Sequence, residues 1–291
     1  MPGSSPIVSV KPVLLPAPGR GDDLRVRVSA PLTGTGLPVL VFSHGFGSSM
    51  DGYAPLADHW AAHGFVVVQP THLDSRTRAL PAEDPRTPLI WRHRIDDVVR
   101  VLDSLGALEA AVPGLAGRVD RGRVAVAGHS WGAQTVGVLL GARVLGVPDD
   151  FTDPRVKAGV LLAAAGLGDE LTPFAAEHLP FMRPSFASMT APALVVAGDS
   201  DHSQLSTRGP DWFIDPYLRS PSPKGLLTLT GAEHSLGGIP GYESAETTDE
   251  NPETVALIRR VSTAFLRGAL GLEGEDWKSV DTGVLGKVES K

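Results

Sequence analysis

The 291-residue chain contains no cysteine. That excludes a disulfide framework, a thiolate nucleophile and Cys-ligated zinc. Long apolar runs are also missing: none approaches the roughly 20 residues needed to span a bilayer. From Met1 to Pro18 there is no basic stretch followed by an apolar one, and prolines interrupt the segment. Positive charge is in deficit, with 26 Lys and Arg against 33 Asp and Glu and a net charge of −7. No basic cluster persists over a face, so nucleic acid is not an expected partner. The expectation is a cytoplasmic protein without a transmembrane segment, with a secreted protein already trimmed of its signal as the alternative. Arginine far exceeds lysine, and Ala, Gly and Pro are plentiful; this fits a GC-rich bacterial coding sequence and carries no mechanism.

What is present is an almost unbroken alternation of short apolar runs and helical patterns. Ile7–Leu15 and Leu24–Ala30 read as an antiparallel pair joined by the turn Pro18-Gly19-Arg20-Gly21. Strands are then expected at Val39–Ser43, Phe65–Pro70, Arg123–Ala127, Val156–Ala165, Ala193–Ala197 and Gly225–Thr230. Helices are expected at Gly52–His63, Arg94–Leu108, Ala133–Leu140 and Pro252–Leu270, with Gly64 ending the first. Fully apolar strands separated by helices indicate a mostly parallel, eight-stranded sheet covered on both faces. No linker or repeat divides the chain, so residues 1–291 are expected to form one domain. Residues 166–190, with Phe174, Phe181, Met182 and Phe186, are too few for a cap domain and are expected to form a short flap. Residues 271–291 read as a loose polar tail.

Reactive groups of such sheets gather at the carboxyl ends of the strands. Four strand ends here carry chemistry. Gly128-His129-Ser130-Trp131-Gly132 lies between an apolar strand and a helix. As a bare G-x-S-x-G string it is a weak signal. Between strand and helix it is a nucleophile elbow, a strained turn that lifts the Ser130 hydroxyl clear of the backbone. A serine needs a base, usually a histidine held in one tautomer by a carboxylate, in the chain order Ser, acid, His. After Ser130 come only His178, His202 and His234. His178 falls in the flap and His202 beside the candidate acid. His234 follows the last strand and is the expected base.

Asp199 and Asp201 both follow the Ala193–Ala197 strand. The third position after Gly198 favours Asp201, with Asp199 as a turn residue bonding its own backbone. Glu233, next to His234, reads as a solvated or structural acid. Oxyanion donors are expected from the Trp131 N–H, just after the nucleophile, and from the Phe46 N–H in the loop His44-Gly45-Phe46-Gly47. His44 itself reads as a loop anchor rather than a catalytic group. Phe46 and Trp131 would form an aromatic floor beside the ester. Trp212, Phe213, Leu236 and Ile239 are candidates to line the substrate site, with Trp212 and Phe213 equally readable as core.

Together, Phe42–Gly47, Gly128–Gly132, Gly198–Asp201 and Gly231–Ser235 resemble the serine α/β-hydrolases. In particular they resemble the platelet-activating-factor acetylhydrolase-like and dienelactone-hydrolase-like esterases, with bacterial polyester hydrolases and chlorophyllase-like proteins sharing much of the plan. The resemblance spans roughly residues 35–268 and implies an α/β-hydrolase fold without a large cap. It implies a Ser130–His234–Asp201 triad that hydrolyses a small-molecule carboxylic ester through an acyl-enzyme, with no metal or cofactor. Two departures matter. Dienelactone hydrolases carry a cysteine nucleophile, which this chain lacks. Many polyester hydrolases have a second glycine after the elbow and a disulfide, where this chain has Ala133 and no cysteine. Esters of short to medium acyl chain, or aryl esters, are expected, because the flap is too short for a long acyl tunnel. Two other readings use the same residues: an acyltransferase or thioesterase of a biosynthetic pathway, and a non-catalytic binding protein of hydrolase fold.

Overall fold

The computed structural model describes residues 4–78, 80–243 and 247–291. The chain opens with the antiparallel pair β1 (Ile7–Leu15) and β2 (Leu24–Pro31). It continues through β3 (Leu37–Ser43), α1 (Ala54–Ala62), β4 (Val66–Pro70), α2 (Ile90–Asp103) and α3 (Leu105–Ala111). Next come β5 (Val119–His129), α4 (Trp131–Leu139), β6 (Arg143–Val144) and β7 (Val156–Leu162). The last part holds α5 (Pro173–His178), β8 (Pro184–Ser185), β9 (Ala193–Gly198), α6 (Asp215–Arg219), β10 (Lys224–Leu229), α7 (Pro252–Ala269) and β11 (Gly286–Ser290).

The main sheet has the order β1-β2-β4-β3-β5-β7-β9-β10-β11. Neighbours from β4 through β10 run parallel, and the pairs at both ends are antiparallel. Strands buried on both faces need apolar side chains on both, and β3 shows why its sequence is a continuous run. Val39 and Val41 pack with α2, α3 and α4 on one side, while Leu40 and Phe42 pack with α1 and α7 on the other. This is the α/β-hydrolase architecture the sequence implied.

α1 stops where expected: Gly64 takes φ +99°, a left-handed conformation open to glycine. α7 starts at Asn251, whose side chain accepts the N–H groups of Glu253 and Thr254, with Pro252 opening the first turn.

Three expectations are corrected. The helix read as Arg94–Leu108 is two helices, α2 and α3, parted at Ser104. Residues 166–190 hold α5 and β8, and β8 pairs with β6 in a small second sheet. The sheet carries nine strands rather than eight. The ninth, β11, comes from the polar tail read as loose, and pairs antiparallel with β10. Its alternation is too polar to read as buried, because an edge strand needs only one partner and little burial. Trp277, just before it, packs on Phe265 of α7 and over the Cα of Gly225. Among the described residues no helix is long and apolar enough to cross a membrane.

Because β11 covers the β10 edge, removing residues 282–291 should lower the urea midpoint by the equivalent of about 2–4 kcal/mol, a few ladder hydrogen bonds at roughly 1 kcal/mol each. An unchanged midpoint would show that the tail contributes nothing to stability.

Candidate active site

The parallel register brings the carboxyl ends of β3, β5, β9 and β10 to one edge of the sheet. Ser43 pairs with Gly128, His129 with Leu162, and Gly198 with Leu229. At the end of β5 the chain turns sharply. Ser130 takes φ +54°, ψ −118°, an uncommon conformation for any residue but glycine, and α4 begins at once. The turn is tight because α4 presses on β3. A Cβ on Gly132 would stand 1.9 Å from the Ser43 carbonyl oxygen. Only glycine fits there, which explains the last position of the motif.

The acid and histidine loops are pressed together in the same manner. A Cβ on Gly198 would stand 2.0 Å from the Ala232 carbonyl oxygen, and the Ser200 N–H donates to that oxygen at 3.1 Å. From there Asp201 Oδ2 lies 2.9 Å from His234 Nδ1, and His234 Nε2 lies 3.0 Å from Ser130 Oγ. Asp201 is fully buried, whereas 45 % of the His234 side chain is exposed. Asp199 stands apart from this line. Its Oδ1 accepts the Gly231 N–H at 2.7 Å and the Ser200 hydroxyl at 3.0 Å, the bracing of a turn.

The loop after β3 is held at nearly every polar atom. The Gly45 N–H donates to Tyr53 Oη at 3.1 Å, and the Gly47 N–H to Asp74 Oδ2 at 3.1 Å. Arg94 donates to the carbonyls of His44 (2.8 Å) and Gly45 (3.3 Å), and pairs with Asp74 at 2.7 Å. The Phe46 N–H, between these anchored groups, has no partner among the described residues. Trp131 opens α4, so its N–H has no intrahelical acceptor. The Phe46 and Trp131 rings meet at 4.9 Å, and Phe46 is 59 % exposed. Trp131 turns its other edge to Phe181, which lies between α5 and β8, 5.3 Å away.

An open cleft of about 270 Å³ lies over Ser130 and His234, with Phe46, Arg76, Pro240 and Glu243 among its walls. Trp212, Phe213, Leu236 and Ile239, expected to line it, do not reach its surface. All four are 1 % exposed or less. Trp212 spends its indole N–H on the Leu167 carbonyl at 2.9 Å, and Phe213 packs beneath the His234 ring at 5.7 Å. They are core, because the turn Pro210–Ile214 faces the sheet rather than the cleft. His178 bonds the Phe174 carbonyl within α5, and Glu233 bonds Thr248.

Several side chains that the sequence reading passed over hold the site together. His129, the variable residue of the elbow motif, accepts from Tyr53 Oη at Nδ1 (2.8 Å) and donates from Nε2 to the His234 carbonyl (2.8 Å). A single chain of hydrogen bonds thus runs from Gly45 through Tyr53 and His129 to the backbone of His234. Asp249 Oδ2 grips the same loop by the N–H groups of Glu233 (2.8 Å) and Gly237 (3.0 Å). Arg94 and Asp97 had a legible signal. They sit at helical spacing from Ile90 and Val101, on the buried side of α2, where charge is out of place.

Beneath the loop, His72 Nδ1 donates to Asp97 Oδ2 at 2.9 Å, and the Arg20 guanidinium holds the same carboxylate at 2.6 Å. His44 donates from Nδ1 to the Gly45 carbonyl and accepts the His72 N–H at Nε2, 3.0 Å away, so it anchors the loop as expected. Burial keeps all these imidazoles neutral: His44 and His129 are pushed down to about 3 from 6.5, and His72 well below its ordinary value. Burial would raise Asp74, but the charge and hydrogen bonds of Arg94 hold it well below the usual carboxylate range. His59 of α1 and His63, which caps that helix, stack at 3.9 Å; no group of three possible metal ligands occurs among the described residues.

The elbow, the strand-end groups and the doubly covered parallel sheet give the chain the architecture of the α/β-hydrolase class. Its comparisons are with the esterase-type serine hydrolases of that class. A family model described as chlorophyllase matches residues 22–144, a span that includes the Phe46 loop and the elbow but neither Asp201 nor His234. The platelet-activating factor acetylhydrolase of Cavia porcellus is 24 % identical over 304 residues, covering 86 % of this chain. That of Canis lupus familiaris is 23 % identical over 307 residues, covering 89 % of this chain. The chain spans 62 % of the length of each of these relatives.

Neutral buried histidines make the fold acid-sensitive. The unfolded chain protonates them as pH falls through 6.5, while native His44 and His129 do so only near 3. In between, the unfolded state binds more protons, and stability falls as pH drops, by at most about 1.4 kcal/mol per pH unit for each histidine. Asp74, depressed in the fold, adds loss below its unfolded value. Asp97, raised mainly by burial with Arg20 opposing, acts in the other direction. Denaturation curves at pH 7, 6 and 5 should show a steady decline. A flat profile would mean that these imidazoles are charged in the fold.

Proposed function

We propose that the chain is a serine carboxylic-ester hydrolase, with Ser130 as nucleophile, His234 as general base and Asp201 as the group that orients it. The observation carrying this reading is the continuous line from Asp201 Oδ2 through His234 to Ser130 Oγ, at 2.9 Å and 3.0 Å. These are the contacts that proton transfer requires. His234 Nε2 takes the hydroxyl proton as Oγ bonds to the ester carbonyl carbon. The carbonyl π pair moves onto oxygen, which the Phe46 and Trp131 N–H groups receive. Collapse breaks the bond to the alcohol, which leaves with the proton held by His234. Water then repeats the sequence on the acyl-enzyme. The half-exposed His234 ring favours water over a bound alcohol as the second nucleophile, and so hydrolysis over acyl transfer.

The cleft of about 270 Å³ suits an ester of short or medium acyl chain, or an aryl ester. The acetylhydrolase name of two relatives agrees with a short acyl group.

Ser130→Ala should lower ester hydrolysis on the order of 10³-fold or more and abolish labelling by a fluorophosphonate, with the fold retained. Labelling that survives would move the nucleophile elsewhere.

The two aspartates separate next. Asp201→Asn should cost on the order of 10⁴-fold in turnover, because the amide favours the wrong His234 tautomer. Asp199→Asn should cost only about 1 kcal/mol of turn stability. Assayed with one ester at one pH, a dead Asp199→Asn beside an active Asp201→Asn would reverse the assignment.

A further inference from the structure

Among the described residues lining the cleft over Ser130 there is one permanent cation, Arg76, and one carboxylate, Glu243. Their situations differ. Glu243 is saturated: it accepts the Ser48 and Ser49 hydroxyls and the Ser49 N–H, the last at 3.0 Å. The Arg76 guanidinium is exposed and makes neither an ion pair nor a side-chain hydrogen bond among the described residues. The contrast with its neighbour is sharp, since Asp74, two residues earlier, is fully engaged by Arg94 and the Gly47 N–H.

Arg76 is also seated. Its N–H donates to the Gly47 carbonyl at 3.0 Å. Its side chain lies across the Cα of Gly47, where an added Cβ would stand 3.2 Å from Nε and 3.4 Å from Cζ. Gly47 takes φ +76°, so the loop both requires a glycine there and leaves room for the arginine. The guanidinium therefore lies one residue from Phe46, whose N–H faces the reacting carbonyl in the reading above.

We propose that Arg76 forms a subsite for an anionic group, a carboxylate or a phosphate, carried by the ester a few atoms from the scissile bond. This rests on the esterase reading for the position of that bond. The planar guanidinium offers paired donors matched to either anion. Glu243, already bonded to Ser48 and Ser49, repels an anion and leaves Arg76 as the group to receive it. Neutral esters would occupy the cleft without this contact.

The test compares esters matched in size and differing in charge. Nitrophenyl hemiglutarate is set against nitrophenyl pentanoate, placing a carboxylate on the acyl side. 4-Acetoxyphenyl phosphate is set against 4-tert-butylphenyl acetate, placing a phosphate on the alcohol side. The kcat/KM ratio should favour at least one anionic ester by about tenfold, fall to near one in Arg76→Gln, survive in part in Arg76→Lys, and shrink with added salt. The pair that responds identifies the anion and its side. Equal ratios in wild type and Arg76→Gln for both pairs overturn the proposal.

A second measurement needs no turnover. Calorimetric titration with monomethyl glutarate and with phenyl phosphate should give binding of at least one that Arg76→Gln weakens about tenfold. No binding by the wild type, or equal binding by the variant, overturns the subsite. A protein that binds these anions through Arg76 and hydrolyses no ester would sink the esterase reading and leave the subsite standing.

Discussion

The ion pair between Arg94 and Asp74 is the constraint on which the site depends. Both side chains are 1 % exposed, so neither charge has water to fall back on. A buried pair of this kind gains little net energy over an apolar pair, but removing one partner typically costs about 3–5 kcal/mol. What the pair supplies is geometry. Arg94 holds two carbonyls of the loop after β3, and Asp74 holds the Gly47 N–H. Tyr53 takes the Gly45 N–H. With every neighbour committed, the loop can present the Phe46 N–H in only one direction. In the reaction proposed above, a donor fixed in advance needs no reorganisation when charge develops.

The histidine side is built by a different device. His234 is held chiefly through its backbone, since His129 donates to its carbonyl and Asp249 accepts the N–H groups on either side of it. The imidazole is left half exposed, and its ring nitrogens bond Asp201 and Ser130. Tyr53 and His129 connect the two devices, so the loop after β3 and the loop after β10 share one register. Such a relay works only with neutral members. Burial meets that requirement by keeping His129 uncharged and pushing the Tyr53 phenol above its ordinary value.

Much of this plan was legible in the sequence. Apolar runs located eight of the nine strands of the main sheet; the inner ones, buried on both faces, leave no polar alternation to misread. Ser130, Asp201 and His234 stood out because each follows such a run, and the sheet brings those ends together. The supporting residues were harder to see. Arg94 reads as an ordinary helical arginine unless its place on the apolar stripe is noticed, and Asp249 lies in a loop with no motif. Trp212, Phe213, Leu236 and Ile239 failed as cleft residues for the opposite reason. Proximity in sequence to a reactive group does not tell which way a side chain faces, and large apolar groups default to the interior. β11 escaped because an edge strand carries no strong apolar signal.

The two outermost strands bear on how molecules of this protein meet. An open sheet ends in unpaired backbone groups that can recruit further strands from another chain. β1 carries exposed Lys11 and Pro12 on that border, and β11 carries Lys287 paired with Glu289. Charge and a missing N–H make both borders poor templates. Growth by strand addition is thereby discouraged at each end, and crowding in a concentrated solution is steered away from continuous β-stacking.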